Sequence, residues 1–407
     1  MNTNKILNFS CEIGKQLLQN GAEIYRVEES IERILNSYGY KKAEVFAIPS
    51  YIIINIEKDE NNYTKSVRIK TITNNLHKLD ELNNLCRSIC MKCPQMDEAN
   101  ELLNEIVAKE PYKLWISFMA YGLVAFFFTL YKSGTVLDSV ISFLCGLIVK
   151  FMVFNMRRVK ANVFFTNLLA SIILAVIPLV LSYTGTIIHL DIIIIGAIML
   201  LVPGLAITNV VRDVLAGDFL TALTKLSEVL IVGMAIAIGI AIPITGMKMA
   251  FGEFVQNNSS QIDYIGFLPC FYAFLGCFSF SIVFEVRKRK YILAGSAIGA
   301  ISWLIIEYSR YFGLDVSGYF LATLAVAILS EICARFFKAP ATIFLIVGII
   351  PLVPGGGIYY TMYYLINKNM DMFWNQGMKT IAYAGAIAVG CSLVSSTVRI
   401  LTYKRVR

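Results

Sequence analysis

IMLLVPGLAITN (198–209) and GIIPLVPGGGIYY (348–360) decide how this chain is read. Each sets a Leu-Val-Pro-Gly step inside an apolar run of the length a helix needs to cross a bilayer. Proline removes a backbone donor and glycine frees the local backbone angles, so both runs are predicted to be interrupted helices. The second break is the stronger, because Pro351 precedes Pro354 and Gly355, Gly356 and Gly357 follow it. Carbonyls freed in lipid must be satisfied by protein, water or a ligand. Downstream, Gly204 to Gly239 and Gly355 to Gly390 span the same interval of 35 residues.

Working outward, apolar runs follow closely from Leu114 onward, covering about 114–131, 136–154, 161–181, 187–207, 227–245, 263–284, 291–309, 318–336, 341–365 and 378–401. The fold class expected is an α-helical polytopic membrane protein of about ten transmembrane helices, preceded by a small N-terminal α+β soluble domain. The Leu-Val-Pro-Gly step falls in the fourth run of each set of five. An odd number of spans per half inverts one half against the other, which makes a 5+5 inverted repeat, a recurrent architecture of secondary transporters. The expected divisions are 1–110 for the soluble domain, 111–250 for the first membrane half and 251–407 for the second.

Composition agrees. The chain is 57% hydrophobic and 16% charged, with a mean hydropathy of +0.65, outside the range of soluble globular chains. Its net charge of +8 does not mark a nucleic-acid surface, because the cations cluster at the ends of apolar runs. Arg157, Arg158 and Lys160 follow run 2, Arg212 and Lys225 follow run 4, Arg287 to Lys290 follow run 6, Arg335 and Lys338 follow run 8, and Lys404, Arg405 and Arg407 close the chain. The opposite loops carry only Lys132, Lys248, Arg310, Lys368 and Lys379. By the positive-inside rule, both termini face the cytoplasm and the protein lies in the cytoplasmic (inner) membrane. No secretory signal opens the sequence.

In the soluble part, Ile6, Phe9, Ile13 and Leu17, then Ile24, Val27, Ile31 and Ile34, recur at helical spacing. EVFAIPSYIIINIE (44–57) and KSVRIKTI (65–72) read as two paired strands across a polar turn, and helices return at 75–92 and 96–109, giving ααββαα. Cys86, Cys90 and Cys93 have a spacing that could hold part of an iron–sulfur cluster, but three cysteines in so small a domain read better as a reduced helix face. No cofactor and no metal are expected.

GAEIYRVEESIERI (21–34) with VFAIPSYIII (45–54) resembles the N-terminal domain of the threonine/serine exporter family. LVPGLAITNVVRDVLAGD (201–218) resembles that family's first membrane half, and SEICARFFKAPATIFLIVGIIPLVPGGGIYY (330–360) its second, here fused in one chain. The resemblance implies export of a small polar metabolite, threonine or serine, driven by the proton motive force. Dicarboxylates such as succinate are the substrates attributed to split relatives. A membrane enzyme, or a channel or sensor gated by the soluble domain, are the competing classes. The enzyme is disfavoured because no nucleophile–base pair or metal cluster accompanies the two histidines, His77 and His189.

A zwitterionic amino acid needs donors for its carboxylate and acceptors for its ammonium, and a broken helix offers both. The substrate-binding candidates are therefore Pro203, Gly204, Thr208 and Asn209 in one half and Pro354, Gly355, Gly356, Gly357 and Tyr359 in the other, with Thr166 and Asn167 completing the pocket. Ionisable groups in or beside membrane helices are costly, which makes Arg212, Asp213, Asp218, Glu331 and Arg335 candidates for coupling or gating. Two plainer roles compete: an interfacial amphipathic helix over 211–222, and an i, i+4 ion pair between Glu331 and Arg335. Asp191 and Glu307 are weaker candidates on the outer side. In the soluble domain, Gly21, Glu23, Arg26 and Glu28 form a charged motif read as structural or gating rather than hydrolytic. The partners expected are the small-molecule substrate and the lipid bilayer, with homo-oligomerisation left open and no nucleic acid.

Overall fold

The computed structural model describes residues 3–58, 61–186, 188–251, 267–366 and 368–406. It divides into two compact units, Met1–Tyr112 with Phe284–Arg287, and Lys113–Val283 with Lys288–Arg407. The expected seam between the halves, at 250/251, falls on the last described residues of a helix that ends at Phe251, whereas the expected start of a span at 263 and the terminal Arg407 lie outside the described residues.

The first unit runs α1 (Thr3–Gln19), α2 (Ile24–Ser37), β1 (Ala43–Ile48), β2 (Tyr51–Lys58), β3 (Asn61–Arg68), α3 (Leu76–Lys92) and α4 (Met96–Ala108). The antiparallel sheet has the order β1-β2-β3. Ile52, Ile54 and Ile56 alternate onto one face and are fully buried, as are Ile6 and Ile13 of α1, which packs on β2 and β3. Gly14 lets α1 approach α2, since a Cβ there would lie 2.5 Å from Ile31 Cδ1.

Here the structure corrects the two-strand reading. Residues 44–57 do not form one strand: Pro49 cannot donate to a ladder and presets a turn, so the chain doubles back and Tyr51 pairs with Ile48. The third strand begins at Asn61, inside the stretch read as a turn, and pairs along β2 until Arg68 meets Tyr51. Beyond that β2 has no residue left to pair with, so 70–72 are not strand.

Phe284–Arg287 belongs to this unit through specific bonds. Leu76 N–H donates to Phe284 O (2.9 Å), Tyr112 N–H to Glu285 Oε2 (2.8 Å) and Tyr112 Oη to Val286 O (2.8 Å). The Arg287 guanidinium bonds Glu110 O and lies 5.3 Å over the Tyr112 ring.

Among the described residues, every regular element of the second unit is helical. It comprises α5 (Leu114–Tyr131), α6 (Val136–Arg158), α7 (Val163–Tyr183), α8 (Leu190–Ile198), α9 (Gly204–Ala216), α10 (Phe219–Phe251), α11 (Leu268–Val283), α12 (Arg289–Tyr311), α13 (Asp315–Phe337), α14 (Ala341–Ile349), a 3₁₀ turn (Ile350–Leu352), α15 (Gly355–Ile366) and α16 (Met370–Val406). Among the described residues seven helices are long and apolar enough to cross a membrane, or eight counting the bent pair α14 and α15. The chain is a polytopic helical membrane protein. Large apolar side chains such as Phe151, Leu230, Ile242, Leu304 and Ile328 stay exposed along these helices, as lipid permits and water does not. Two expected runs fall short in length. The fourth is the nine-residue α8 followed by a break, and the sixth is the 16-residue α11.

The residues read as one amphipathic helix over 211–222 divide between two helices. Residues 211–216 end α9, Gly217 turns with φ +89°, and α10 starts at Phe219, eight residues earlier than hydropathy places it. Polar residues at 224–228 lower the local hydropathy without interrupting helical hydrogen bonding.

The packing partners follow a pattern. α7 packs on α10 and α13 on α16, each pairing the third run of a set with the fifth. A Cβ on Gly239 would stand 2.6 Å from Leu168 O of α7, and one on Gly390 would stand 3.0 Å from Thr323 Cβ of α13. The two glycines spaced alike from the breaks thus serve the same close approach. α9 packs on α16, α15 packs on α10, and α5 packs on α11.

Candidate functional site

Both Leu-Val-Pro-Gly steps interrupt a helix. α8 ends at Ile198 and the chain turns through Met199–Pro203, with Leu201 N–H and Val202 N–H both donating to Ile198 O (2.8 and 3.0 Å). α14 ends at Ile349, tightens into the 3₁₀ turn and restarts at Gly355, and the two limbs are bent by 47°. Pro203 and Pro354 leave the restarting helices without one donor, and the first-turn amides of each limb have no intrahelical acceptor.

The two breaks meet. A Cβ on Gly355 would lie 3.2 Å from both Met199 Sδ and Val202 Cγ1, while Gly356 faces Ile195 more loosely, at 3.9 Å. On the other side of α15, a Cβ on Gly357 would collide with Thr380 Oγ1 of α16. The glycine run therefore serves close approach as well as backbone freedom. Tyr359, one turn on, is buried among residues that include Ile194, Ile198, Leu201 and Ile236. Tyr360, Tyr363 and Tyr364 extend it into a ring cluster with neighbouring centroids 5.1 to 6.1 Å apart. A freed carbonyl finds a donor: Tyr131 Oη of α5 donates to Pro351 O (3.1 Å), while Ser302 Oγ of α12, which donates to Gly299 O at 2.7 Å, also lies 3.3 Å from Gly348 O.

The other expected site residues are placed as follows. Thr208 is buried and Asn209 half-buried on α9. Thr166 Oγ1 and Asn167 Nδ2 donate to Asn162 O (3.0 Å) and Val163 O (2.8 Å) at the start of their own helix. Asp213 is buried at the end of α9, with Lys225 Nζ of α10 at 2.6 Å and an Arg212 nitrogen at 3.9 Å. Asp218 sits half-buried between the two helices. Glu331 and Arg335 share a face of α13 at a long 3.9 Å, with Arg335 largely exposed.

In the first unit, Gly21 adopts φ +96°, and a Cβ there would press on Asn74 Oδ1. Arg26 Nε lies 2.8 Å from Glu23 Oε2, and Glu28 Oε1 accepts Ala47 N–H at 2.8 Å, tying α2 to β1. Burial and the Glu23 charge push the Tyr25 phenol up to about 12. Cys86 is buried, with its thiol also pushed up to about 12 by burial, whereas Cys93 is exposed and caps α3 at φ +45°. No group of three or more metal-ligating side chains occurs among the described residues.

Sequence reasoning passed over several polar groups. Asp138, fully buried, accepts Thr135 N–H (2.8 Å) and His189 N–H (3.0 Å), and its Oδ2 lies 2.8 Å from His189 Nδ1. The Thr135-x-x-Asp138 capping box was the local signal for that pair. Lys225, the partner of Asp213, carried none.

Facing helix breaks in an apolar bundle, with the shielded Asp213–Lys225 ion pair and the buried Asp138 beside His189, define the class of a membrane transporter. Residues 8–248 match the family model of the threonine/serine exporters, and residues 269–397 match a second one, described as threonine/serine exporter, ThrE. The chain belongs to the threonine/serine exporter family. It is similar to a "Probable threonine/serine exporter" of Mycobacterium tuberculosis, at 21% identity over 97% of this chain and 76% of the relative. It is also similar to a "Threonine/serine exporter" of Corynebacterium glutamicum, at 23% identity over 95% of this chain and 81% of the relative. No solved structure matches.

Proposed function

We propose that this protein is a secondary transporter that exports threonine and serine across the cytoplasmic membrane, driven by the proton motive force, and not an enzyme. The observation that carries this is the meeting of the two breaks, where Gly355 of one limb lies against Met199 and Val202 of the other. Two interrupted helices in contact bring first-turn amides, positive dipole ends and freed carbonyls to one place, the groups a zwitterion requires. Thr208, Asn209 and Tyr359 supply side chains beside them, and the buried Asp213–Lys225 pair and Glu331 are the groups whose protonation would be coupled to movement.

The membrane part is read as two inverted halves, 111–250 and 251–407, behind a cytoplasmic domain of 1–110. Support comes from the packing, since exchanging the first five helical runs for the second five maps α7–α10 onto α13–α16, and α9–α16 onto α15–α10. The inclusion of Phe284–Arg287 in the soluble unit supports an even number of crossings between Lys113 and that loop, and so a cytoplasmic face for it. A reporter fused after Arg407 is expected on the cytoplasmic side.

The test is efflux from cells preloaded with labelled threonine, serine and succinate, with and without the protein and a protonophore. Protein-dependent, protonophore-sensitive loss of threonine and serine is the expected result. Loss of succinate alone would reassign the substrate to dicarboxylates, and flux indifferent to the protonophore would make the protein a channel.

A further inference from the structure

Beyond the breaks, a second polar constellation lies where α5 and α12 end and α13 begins. Its floor is Trp303, 4% exposed, with Tyr131 packed on it at a centroid distance of 4.3 Å and Tyr319 beside it, stacked on Tyr383 at 4.3 Å. Two cations stand over this floor: Arg310 Cζ is 5.0 Å and Lys132 Nζ 5.9 Å from the Trp303 ring. Two carboxylates stand at the rim. Glu307 holds one Arg310 nitrogen at 3.2 Å, and Asp315 accepts the Tyr383 hydroxyl at 2.7 Å.

Three donors here are left over. Trp303 Nε1 is buried and has no hydrogen-bond partner among the described residues. Lys132 is exposed and has no carboxylate within ion-pair distance among them. Arg310, engaged with Glu307 through one nitrogen and within hydrogen-bonding reach of Tyr319, has further N–H groups in its planar fork. A buried indole N–H is normally satisfied, so an unpartnered one on a ring whose face carries two cations is a donor that an anionic acceptor drawn to those cations would satisfy.

Tryptophan and arginine near helix ends also serve as interfacial anchors, but those face the headgroups. Trp115 and Trp374 fit that role, being 66% and 65% exposed, and Trp303 does not. The constellation is also wired to the second break, because the Tyr131 ring that covers Trp303 carries the hydroxyl that donates to Pro351 O.

We propose that Trp303, Arg310 and Lys132 form a binding site for the α-carboxylate of the exported amino acid, separate from the helix breaks and next along its path, with Glu307, Asp315 and the Tyr319–Tyr383 faces receiving the ammonium end. This rests on the exporter reading for the identity of the ligand. The carboxylate takes charge-assisted hydrogen bonds from the Arg310 fork and the Lys132 ammonium, with the Trp303 N–H as a third donor. The ammonium lies against the tyrosine faces and the rim carboxylates.

The full chain carrying Trp115→Phe and Trp374→Phe keeps Trp303 as its sole tryptophan, since the sequence has three. Its emission is titrated in lipid nanodiscs with threonine, serine and threoninamide, and its efflux of labelled threonine is measured in parallel. A saturable change with threonine and serine, absent with threoninamide, and a half-saturating concentration raised at least tenfold by Arg310→Gln and less by Arg310→Lys, which keeps the charge but not the fork, is the expected result. A variant that exports threonine yet shows no carboxylate-dependent change, or one whose titration ignores Arg310→Gln, overturns the site. Absence of export by the unmodified chain overturns the exporter reading, while the titration still decides whether a carboxylate site exists.

Discussion

Lys225 Nζ lies 2.6 Å from Asp213 Oδ2, joining the first turns of α10 to the last turn of α9 with side chains only 19% and 11% exposed. An ion pair so shielded owes its stability to both members, because removing one strands the other charge, at a cost of about 3–5 kcal/mol. Lys225→Met alone and Asp213→Leu alone are expected to lower the thermal midpoint of the detergent-solubilised protein strongly. The double substitution is expected to restore much of it while export stays impaired if the pair also moves during transport. Equal, additive losses in a double-mutant cycle would remove the pair as an energetic unit.

Gly357 is the tightest position of the second break, with no room for a methyl group beside Thr380. Gly357→Ala is expected to abolish most export by unseating α15 from α16, and a second change that removes the colliding hydroxyl, Thr380→Ala, is expected to recover part of it. Gly356→Ala, where the nearest atom is 3.9 Å from the added carbon, is expected to be mild. Efflux rates at matched membrane levels decide, and a Gly356 variant as damaged as the Gly357 variant would show that backbone freedom rather than contact with α16 is what the glycine run supplies.

How far this was legible in the sequence follows from which interactions are local. The breaks at Pro203–Gly204 and Pro351–Gly355 could be read because proline and glycine act on their own backbone. The helices of the first unit agree because their burial repeats every three to four residues. The hairpin at Pro49 was in principle readable too, but an unbroken β-branched run outweighed one proline. Contacts between distant segments left no local mark. Lys225 reads as one more junction cation until α10 folds onto α9, and Trp303 reads as a membrane-helix aromatic until Tyr131 closes over it. The limits of α8 and α11 were hidden for a related reason, since hydropathy measures apolar length and not where the helix stops.

Gly21 and Glu28 give the soluble motif a structural explanation that can be tested. At φ +96° and with Asn74 Oδ1 only 2.9 Å from where a Cβ would stand, Gly21 cannot accept a side chain without strain, while Glu28 ties α2 to β1 through Ala47 N–H. Gly21→Ala is expected to destabilise the first unit by about 1–3 kcal/mol. Glu28→Gln, which keeps an acceptor, is expected to cost less than Glu28→Ala, about 1 kcal/mol against about 2 kcal/mol. Limited proteolysis of the full chain, followed at α2 and β1, ranks the three. A Glu28→Ala variant with native protease resistance and lost export would instead make Glu28 a functional group.

His77 should make the first unit sensitive to mild acid. Burial holds its pKa below the usual 6.5, and the nearby Glu81 carboxylate only partly offsets this, while Arg287 and Lys109 add to the lowering. The neutral imidazole is therefore favoured in the folded state. Above the unfolded pKa, near 6.5, both states carry it neutral and stability is full. As pH falls below 6.5 the unfolded chain takes up a proton that the folded chain resists, and stability declines until pH passes the lowered folded value. Hydrogen exchange of α3 amides in the full protein is expected to accelerate between pH 7 and pH 5.5 after correction for intrinsic rates, and His77→Gln is expected to flatten that dependence. Because Leu76 N–H donates to Phe284 O, the same acidification is expected to loosen the amides of Phe284–Arg287. Unchanged protection across this range in both proteins would mean that His77 is solvated enough to titrate without consequence for the fold.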